Sequence, residues 1–443
     1  METGNTAHLL TAEHAQLNSR QSVMDEIEYH ILTTENEFDE LRDRWQDLSE
    51  NCDSTIFQTF DWNRTWWKYF GTYGELQIFI LSINGELAGI APLFLDRVTR
   101  FGLPYCTHLR FIGSYISRTE NGSLVGQQAY SDYLQFLIKP GSESIFINYF
   151  IRSLDTDYSF SQIILDEVPE YSVILQSFVD QLRYHGYEVQ VTDTSILPVS
   201  VETSGWEEFV LKREGKERNN IRRTCKRVDG GPAAIFRLAD SGEQSNWDEE
   251  LGRFIDMHQA QWNQRDMPGT FAEKKMHDFF YEIATLFHKK GWLRIHSLYA
   301  INSNKLLASN IIIEYRKRCY MLHRAMQMNS EWIKKAPGKA LLLAEIRKAI
   351  EDKNTFEFLR GGESYKLSLS SHVRRNKKLV IQGNLQGNRI RGKVSAIDMR
   401  IRGRIALERA NWTLFREKHN ILKAGIKYLM AIQKRIFRNH QTL

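Results

Sequence analysis

The stretch Cys319–Lys366, CYMLHRAMQMNSEWIKKAPGKALLLAEIRKAIEDKNTFEFLRGGESYK, reads as a strand, a loop, a helix, a second strand and a charged turn. The apolar and aromatic run "RCYMLHRAM" suits a buried strand, and so does "TFEFL" further on. Between them "PGKALLLAEIRKAIED" is a helix. Pro337 stands at its opening, where the missing N–H costs nothing, and Gly338 follows. The second strand then runs into Arg360, Gly361, Gly362, Glu363, Tyr365 and Lys366 with almost no spacing.

This crowding has a chemical reading. A helix N-terminus carries unpaired backbone N–H groups and a partial positive charge, so it can receive a phosphate. Gly338 lets a ligand approach the backbone, while Lys334, Lys335 and Lys339 add charge. The same residues also describe an ordinary helix start with solvated lysines. Neither GxxxxGK[ST] nor GxGxxG is present. Ligands of open α/β sheets bind outside the carboxyl ends of strands, which is where Arg360–Lys366 falls. There Glu363 could act as a base, Tyr365 could protonate a leaving thiolate, and Lys366 could hold an anion. A surface turn with a weak Glu–Arg or Glu–Lys pair is the alternative.

Working outward, "WLRIHSLYAINSNKLLASNIIIEY" is a hairpin with its turn at Asn302–Asn304. Helices are expected near Trp206–Lys226, Asp248–Gln264 and Glu273–Lys290. The first half follows a similar order. Helices near Glu37–Glu50 and Phe57–Phe70 precede a hairpin that turns at Asn84-Gly85, a dipeptide that supplies positive φ angles. The strands "THLRFIGS", "SDYLQFLIKPG" and "SQIILDEV" follow, with helices near Glu143–Leu154 and Tyr171–His185. The order repeats although the sequences do not. The expected fold class is α/β (α+β): two domains, each a mixed β-sheet flanked by helices, over residues 27–195 and 196–386. Residues 1–26 read as a polar, disordered leader. Residues 387–443 read as a basic, amphipathic helical tail, with Trp412, Phe415, Leu422, Ile426 and Leu429 on one face.

The 443 residues carry 59 Lys/Arg against 54 Asp/Glu, a net charge of +5. The basic excess lies in the tail, and the rest of the chain is net negative. A general nucleic-acid surface is therefore not indicated. The tail could touch an anionic membrane surface or a partner helix, or pack back on the second domain. The four cysteines are scattered, so neither a metal site nor a disulfide framework is expected, and a reducing compartment is the simpler reading. No signal peptide or membrane span is read, which suggests the cytoplasm, with peripheral contact at the inner face of the membrane.

Other candidates lie apart in sequence. In "KERNNIRRTCKRV", Arg222 and Arg223 belong to a basic helix that could recognise a phosphate or a carboxylated sugar, or be a solvated face. Asp132 interrupts an apolar stretch, either as a site residue or as a turn cap. His323, in the strand before the Pro337 helix, is a candidate base. His258 and Trp262, four apart in "MHQAQW", more often mark a structural contact.

Together these pieces resemble the cellulose-biosynthesis-associated, CelD-like group of GNAT-superfamily acyltransferases, tandem GNAT folds related to the FemAB aminoacyltransferases. The matching pieces are "FQTFDW", "APL" at Ala91, "SDYL" at Asp132, "ERNNIRR", "MHQAQW", "APGKALL" and "FEFLRGGESYK". They run from about Glu37 to about Gln382. The group's "FDFLRG" has Asp where this chain has Glu357, and a second glycine, Gly362, is added here. The resemblance implies acyl transfer from acetyl-CoA or another acyl-CoA, with no metal, to an amine of a small-molecule or glycan-precursor acceptor. It places the CoA pyrophosphate at Lys335, Gly338 and Lys339. Glu363, Tyr365 and His323 become the catalytic candidates, and Arg222, Arg223, Asp132, Arg360 and Lys366 the substrate contacts. The first half becomes a degenerate copy that helps shape the acceptor cleft. Aminoacyl transfer from charged tRNA, or a scaffold role in polysaccharide assembly, are the alternatives.

Overall fold

The computed structural model describes residues 25–383, apart from 101–102, 115, 121–122, 128–130, 201–203, 242–245 and 329–330. The leader expected over residues 1–26 falls almost entirely outside the described residues, and the tail expected from residue 387 does so completely. Everything described belongs to one compact unit that ends at Gly383.

Local chemistry sets the elements. Ile78–Ile83 and Glu86–Ala91 pair antiparallel, with Ile83 facing Glu86. Asn84 (φ 53°) and Gly85 (φ 78°) form the tight turn between them, the left-handed pair that a two-residue hairpin requires. Leu293–Ala300 and Leu306–Tyr315 form the second hairpin. In "IIIEY", Ile311, Ile312 and Ile313 are all buried, as expected of a strand covered on both faces.

The mixed α/β architecture is built on a continuous sheet, flanked by helices. Its strands run in the order Phe236–Asp240, Leu293–Ala300, Leu306–Tyr315, Arg318–Met326, Thr355–Glu357, Glu188–Ser200, His372–Gln382, Gln162–Pro169, Leu103–Phe111, Leu93–Arg100 and Gly74–Leu76. A second sheet joins Ile27–Leu32, Ile78–Ile83, Glu86–Ala91 and Leu137–Ile138.

The two halves interlock. Glu188–Ser200 crosses residue 195, the boundary expected between the halves. Glu188–Asp193 and Ile196–Val199 pair with His372–Gln382 on one edge, and Val199 and Ser200 pair with Glu357 and Phe356 of the second half on the other. The C-terminal strand His372–Gln382 lies between Gln162–Pro169 and Glu188–Ser200, inside the sheet region of the first half. One aromatic core spans the join. Trp62 stacks on Phe287 and meets Phe279 edge-on, with ring centroids 6.4 and 5.5 Å apart. Each such ring, fully buried, contributes about 1.5–3 kcal/mol of apolar transfer energy, so the halves are not independently packed.

Two local expectations need correction. "SDYLQFLIKPG" is strand only over Leu137–Ile138, because Tyr133 adopts φ 56° and bends the chain just before it. "TFEFLRGGESYK" is strand only over Thr355–Glu357. Leu359 (φ 55°) and Gly361 (φ 122°) break the extension. Ser364–Leu369 then forms a short helix, so Tyr365 and Lys366 stand on a helix rather than at a strand end.

Candidate active site

The site begins at a gap in the sheet. Arg318–Met326 pairs parallel with Thr355–Glu357 over three residues, Arg318 to Tyr320. Beyond Tyr320 the two strands part. On its other edge the register with Leu306–Tyr315 slips: His323 faces Ile311 and Met321 faces Ile312. Leu322 is thus the extra residue of a β-bulge, which re-aims backbone groups out of the ladder. A cleft of about 750 Å³ opens here, within the range of small-molecule sites.

The helix Pro337–Glu351 starts on the rim of this cleft. Ala336, at its N-cap, is left-handed (φ 51°), no side chain caps the first turn, and that turn contains no acidic residue. A Cβ on Gly338 would lie 3.0 Å from Arg324 Nη2 and 3.0 Å from Met326 Sδ. Glycine is what allows the strand end and the helix start to approach so closely. Arg324 donates from Nη2 to the Gly338 carbonyl at 3.3 Å, and its guanidinium stacks on Tyr365 at 4.4 Å.

The opposite rim is the Arg360–Lys366 turn. Arg360 donates to Asp132 Oδ1 through Nε and to the Ser131 carbonyl through Nη2, both at 2.8 Å. Asp132 is buried and comes from the first half. Lys366, also buried, donates to the Arg360 carbonyl at 2.6 Å and pairs with Glu363 Oε2 at 3.2 Å. Burial pulls the Lys366 ammonium below its usual range, and Glu363 opposes that effect. A Cβ on Gly361 would lie 2.3 Å from Glu363 Oε2 and 2.9 Å from Lys366 Nζ. With its positive φ, Gly361 is therefore required for the turn to fold over this ion pair.

Two histidines complete the wall. His258 is buried and accepts from Trp262 Nε1 at 3.0 Å through Nε2, so its proton sits on Nδ1. Burial lowers its pKa. His323 packs edge-on against Phe280 and Phe271, with ring centroids 4.9 and 5.2 Å away, and against His258 at 5.9 Å. Burial, reinforced by His258, pushes His323 down to about 3. It is neutral at physiological pH. As a base it has little driving force to take a proton from an amine.

The cleft brings together His323, Gly338, Lys339, Asp132, Arg360, Glu363, Tyr365 and Lys366. Lys339 donates to Glu217 at 2.6 Å. Lys335, Arg222 and Arg223 are not among its lining residues. Lys335 Nζ lies over Trp332 at 4.3 Å, and its carbonyl accepts from Arg227. Arg222 pairs with Glu207 at 3.6 Å, and Arg223 Nη2 donates to Asn220 Oδ1 at 3.4 Å. Sequence reasoning missed Arg324, Arg265 and the bulge at Leu322. Arg324 carries a signal in retrospect, a cation inside an apolar strand. The bulge carries none.

Residues 215–367 match the family model of the acetyltransferase (GNAT) domain. Over these residues, about a third of the chain, the protein is similar to that domain. The crystal structure of FemX is similar over 80% of this chain and 96% of its own, at 12% identity and a TM-score of 0.55, which speaks for the fold. A tandem GNAT protein from the clavulanic acid biosynthesis pathway aligns over 81% and 99% of the two chains at 11% identity and a TM-score of 0.40. L-PGS from Bacillus licheniformis aligns over 80% and 95% at 11% identity and 0.44. No curated protein matches the chain in sequence. No helix among the described residues is long and apolar enough to cross a membrane.

Proposed function

We propose that the chain is an acyl-CoA-dependent N-acyltransferase of the CelD-like kind, acting on an amine of a sugar or of a cell-envelope or exopolysaccharide precursor. The supporting observation is the gap beyond Tyr320, where the bulged strand, the uncapped start of the Pro337 helix and the Arg360–Lys366 turn face one cleft. A thioester fits this arrangement. The uncapped first turn of the Pro337 helix offers backbone N–H groups to a diphosphate, and the parted strand edge offers backbone N–H groups to a carbonyl oxygen.

In this reading the acceptor amine attacks the thioester carbonyl carbon, forming the C–N bond. A backbone N–H at the Leu322 bulge holds the developing oxyanion. Glu363, poised by Lys366, takes the amine proton. The carbonyl re-forms as the C–S bond breaks, and Tyr365 or a water protonates the departing thiolate. Arg360, fixed by Asp132, holds the turn. The reaction is placed in the cytoplasm, where the tail could bring it to the inner face of the membrane.

The test is calorimetric titration with acetyl-CoA, followed by thiol release over a panel of amino sugars. Saturable heat and amine-dependent release are expected. No heat and no thermal protection would remove the acyl-CoA reading. Aminoacyl transfer is the second reading, favoured by the likeness to the FemX fold and by the sequence resemblance. It predicts tRNA affinity that falls steeply with salt. A chain that passes neither test but is still needed for polysaccharide assembly in cells would be a scaffold.

A further inference from the structure

The cleft holds more positive charge than its own acids neutralise. Five cationic side chains line it: Arg265, Arg324, Lys339, Arg360 and Lys366. Three are matched, Lys339 by Glu217, Arg360 by Asp132 and Lys366 by Glu363. The two lining acids, Asp132 and Glu363, are thereby used. Among the described residues neither Arg324 nor Arg265 has a carboxylate partner.

Both guanidiniums are held in place all the same. Arg324 lies on Tyr365 and gives one N–H to the Gly338 carbonyl. Arg265 lies over Trp262 at 5.6 Å, with Nη2 3.9 Å from Met328 Sδ. Gln261 Oε1 accepts from Met326 N at 3.0 Å, which ties this helix end to the end of the Arg318–Met326 strand. Arg324 and Arg265 both line the cleft. Aromatic stacking fixes the plane of a guanidinium while leaving most of its five donors free. Two planar forks without acid partners match a doubly charged phosphate group better than a single carboxylate. Neither residue belongs to the motif pieces that carry the family resemblance.

We propose that Arg324 and Arg265 together bind a phosphate-type anion of the ligand that occupies this cleft. The inference rests on the acyl-transfer reading for the identity of that ligand, since either an acyl-CoA diphosphate or a phosphorylated sugar acceptor would supply the anion. The two guanidiniums set specificity, and the transfer chemistry stays with the Arg360–Lys366 turn.

The experiment titrates the full chain, Arg324→Gln and Arg265→Gln with inorganic pyrophosphate, CoA and S-acetyl-pantetheine, which has the thioester arm without phosphates. Each substitution is expected to weaken pyrophosphate about tenfold and to leave S-acetyl-pantetheine unchanged. A parallel loss with CoA assigns the anion to the donor. Unchanged CoA affinity assigns it to the acceptor. If the wild type binds pyrophosphate but not CoA, the acyl-CoA reading falls while the anion site stands. Equal pyrophosphate and CoA affinity in all three proteins, or no binding of either by the wild type, overturns the proposal. Arg265 is exposed, so Arg265→Gln keeps the test decisive should Arg324→Gln melt early.

Discussion

Two helices in this chain follow a sheet strand and start in opposite ways. Glu143–Thr156, in the first half, has an acidic residue in its first turn, and Glu143 accepts from the backbone N–H of Gly141 at 2.9 Å. Pro337–Glu351, in the second half, has no acid in its first turn and faces a cleft. Their inner faces differ too. The first buries Phe146, Ile147, Phe150, Ile151 and Leu154, with Ser153 the buried polar residue. The second buries Glu345 among its apolar residues. One half supplies its own carboxylate to the positive helix end, and the other leaves that end open to a ligand. The same local motif thus serves packing in one place and a candidate site in the other.

The largest expected difference separates two glutamates. Glu363→Gln removes the proposed base and should lower kcat/KM by about 10²–10⁴-fold. Glu143→Gln should leave kcat/KM within about twofold and lower stability by a few tenths of a kcal/mol, as for a lost helix-end charge. Steady-state thiol release checks both. Equal losses would abolish the functional contrast between the halves. Next comes Asp132, through which the first half holds the turn of the second. Its side chain is 4% exposed and pairs with Arg360. Asp132→Ala takes the nearer carboxylate from a part-buried guanidinium that keeps Glu167 at 3.8 Å, and should cost about 2 kcal/mol of unfolding free energy in denaturant titration. A cost below about 1 kcal/mol would mean that the halves do not depend on this pair.

Gly338→Glu makes the second helix resemble the first. The new Cβ meets the flexible end of Arg324 and a sulfur, not backbone, and an acid near a helix start is favourable. The fold should persist, with thermal melting little changed. CoA affinity should fall about a hundredfold, because a like charge then occupies the phosphate position. Calorimetry gives the answer, and unchanged affinity would move the phosphate elsewhere.

What could be read from sequence follows the range of the forces involved. Asn84-Gly85 announces its hairpin because two adjacent residues fix the turn. Pro337 marks the helix start by the same local logic. The contact of Arg360 with Asp132 spans 228 positions, and no periodicity carries such information. The insertion of His372–Gln382 into the sheet of the first half is likewise tertiary. Glu363, Tyr365, Lys366, Gly338 and His323 were legible as candidates because they sit within one local unit. Arg324 and Arg265 enter the proposal because neither has an acid partner among the described residues, and only the folded arrangement reveals that.

The smallest expected effect concerns the buried faces of the two helices. Glu345 accepts from Asn310 Nδ2 at 2.7 Å and contacts His296 Nδ1 at 3.1 Å, while His296 Nε2 lies 3.4 Å from Asp240. Burial by itself would lower the pKa of His296, but its hydrogen bonds to Asp240 and Glu345 outweigh burial and raise it to about 9. An unfolded histidine titrates near 6.5. The folded pKa lies above the unfolded one, so this contribution to stability is complete below about pH 6.5 and is lost as pH rises through about 9. The wild-type melting temperature should therefore fall across that window. Glu345→Gln removes one of the two carboxylates, lowers the folded pKa and should flatten the fall. The helix of the first half, with no buried acid, should add no such slope. A wild-type melting temperature that is level from pH 6.5 to 9 would show that His296 is held neutral. The buried charge of the second helix would then be carried by Glu345 with Asn310 alone.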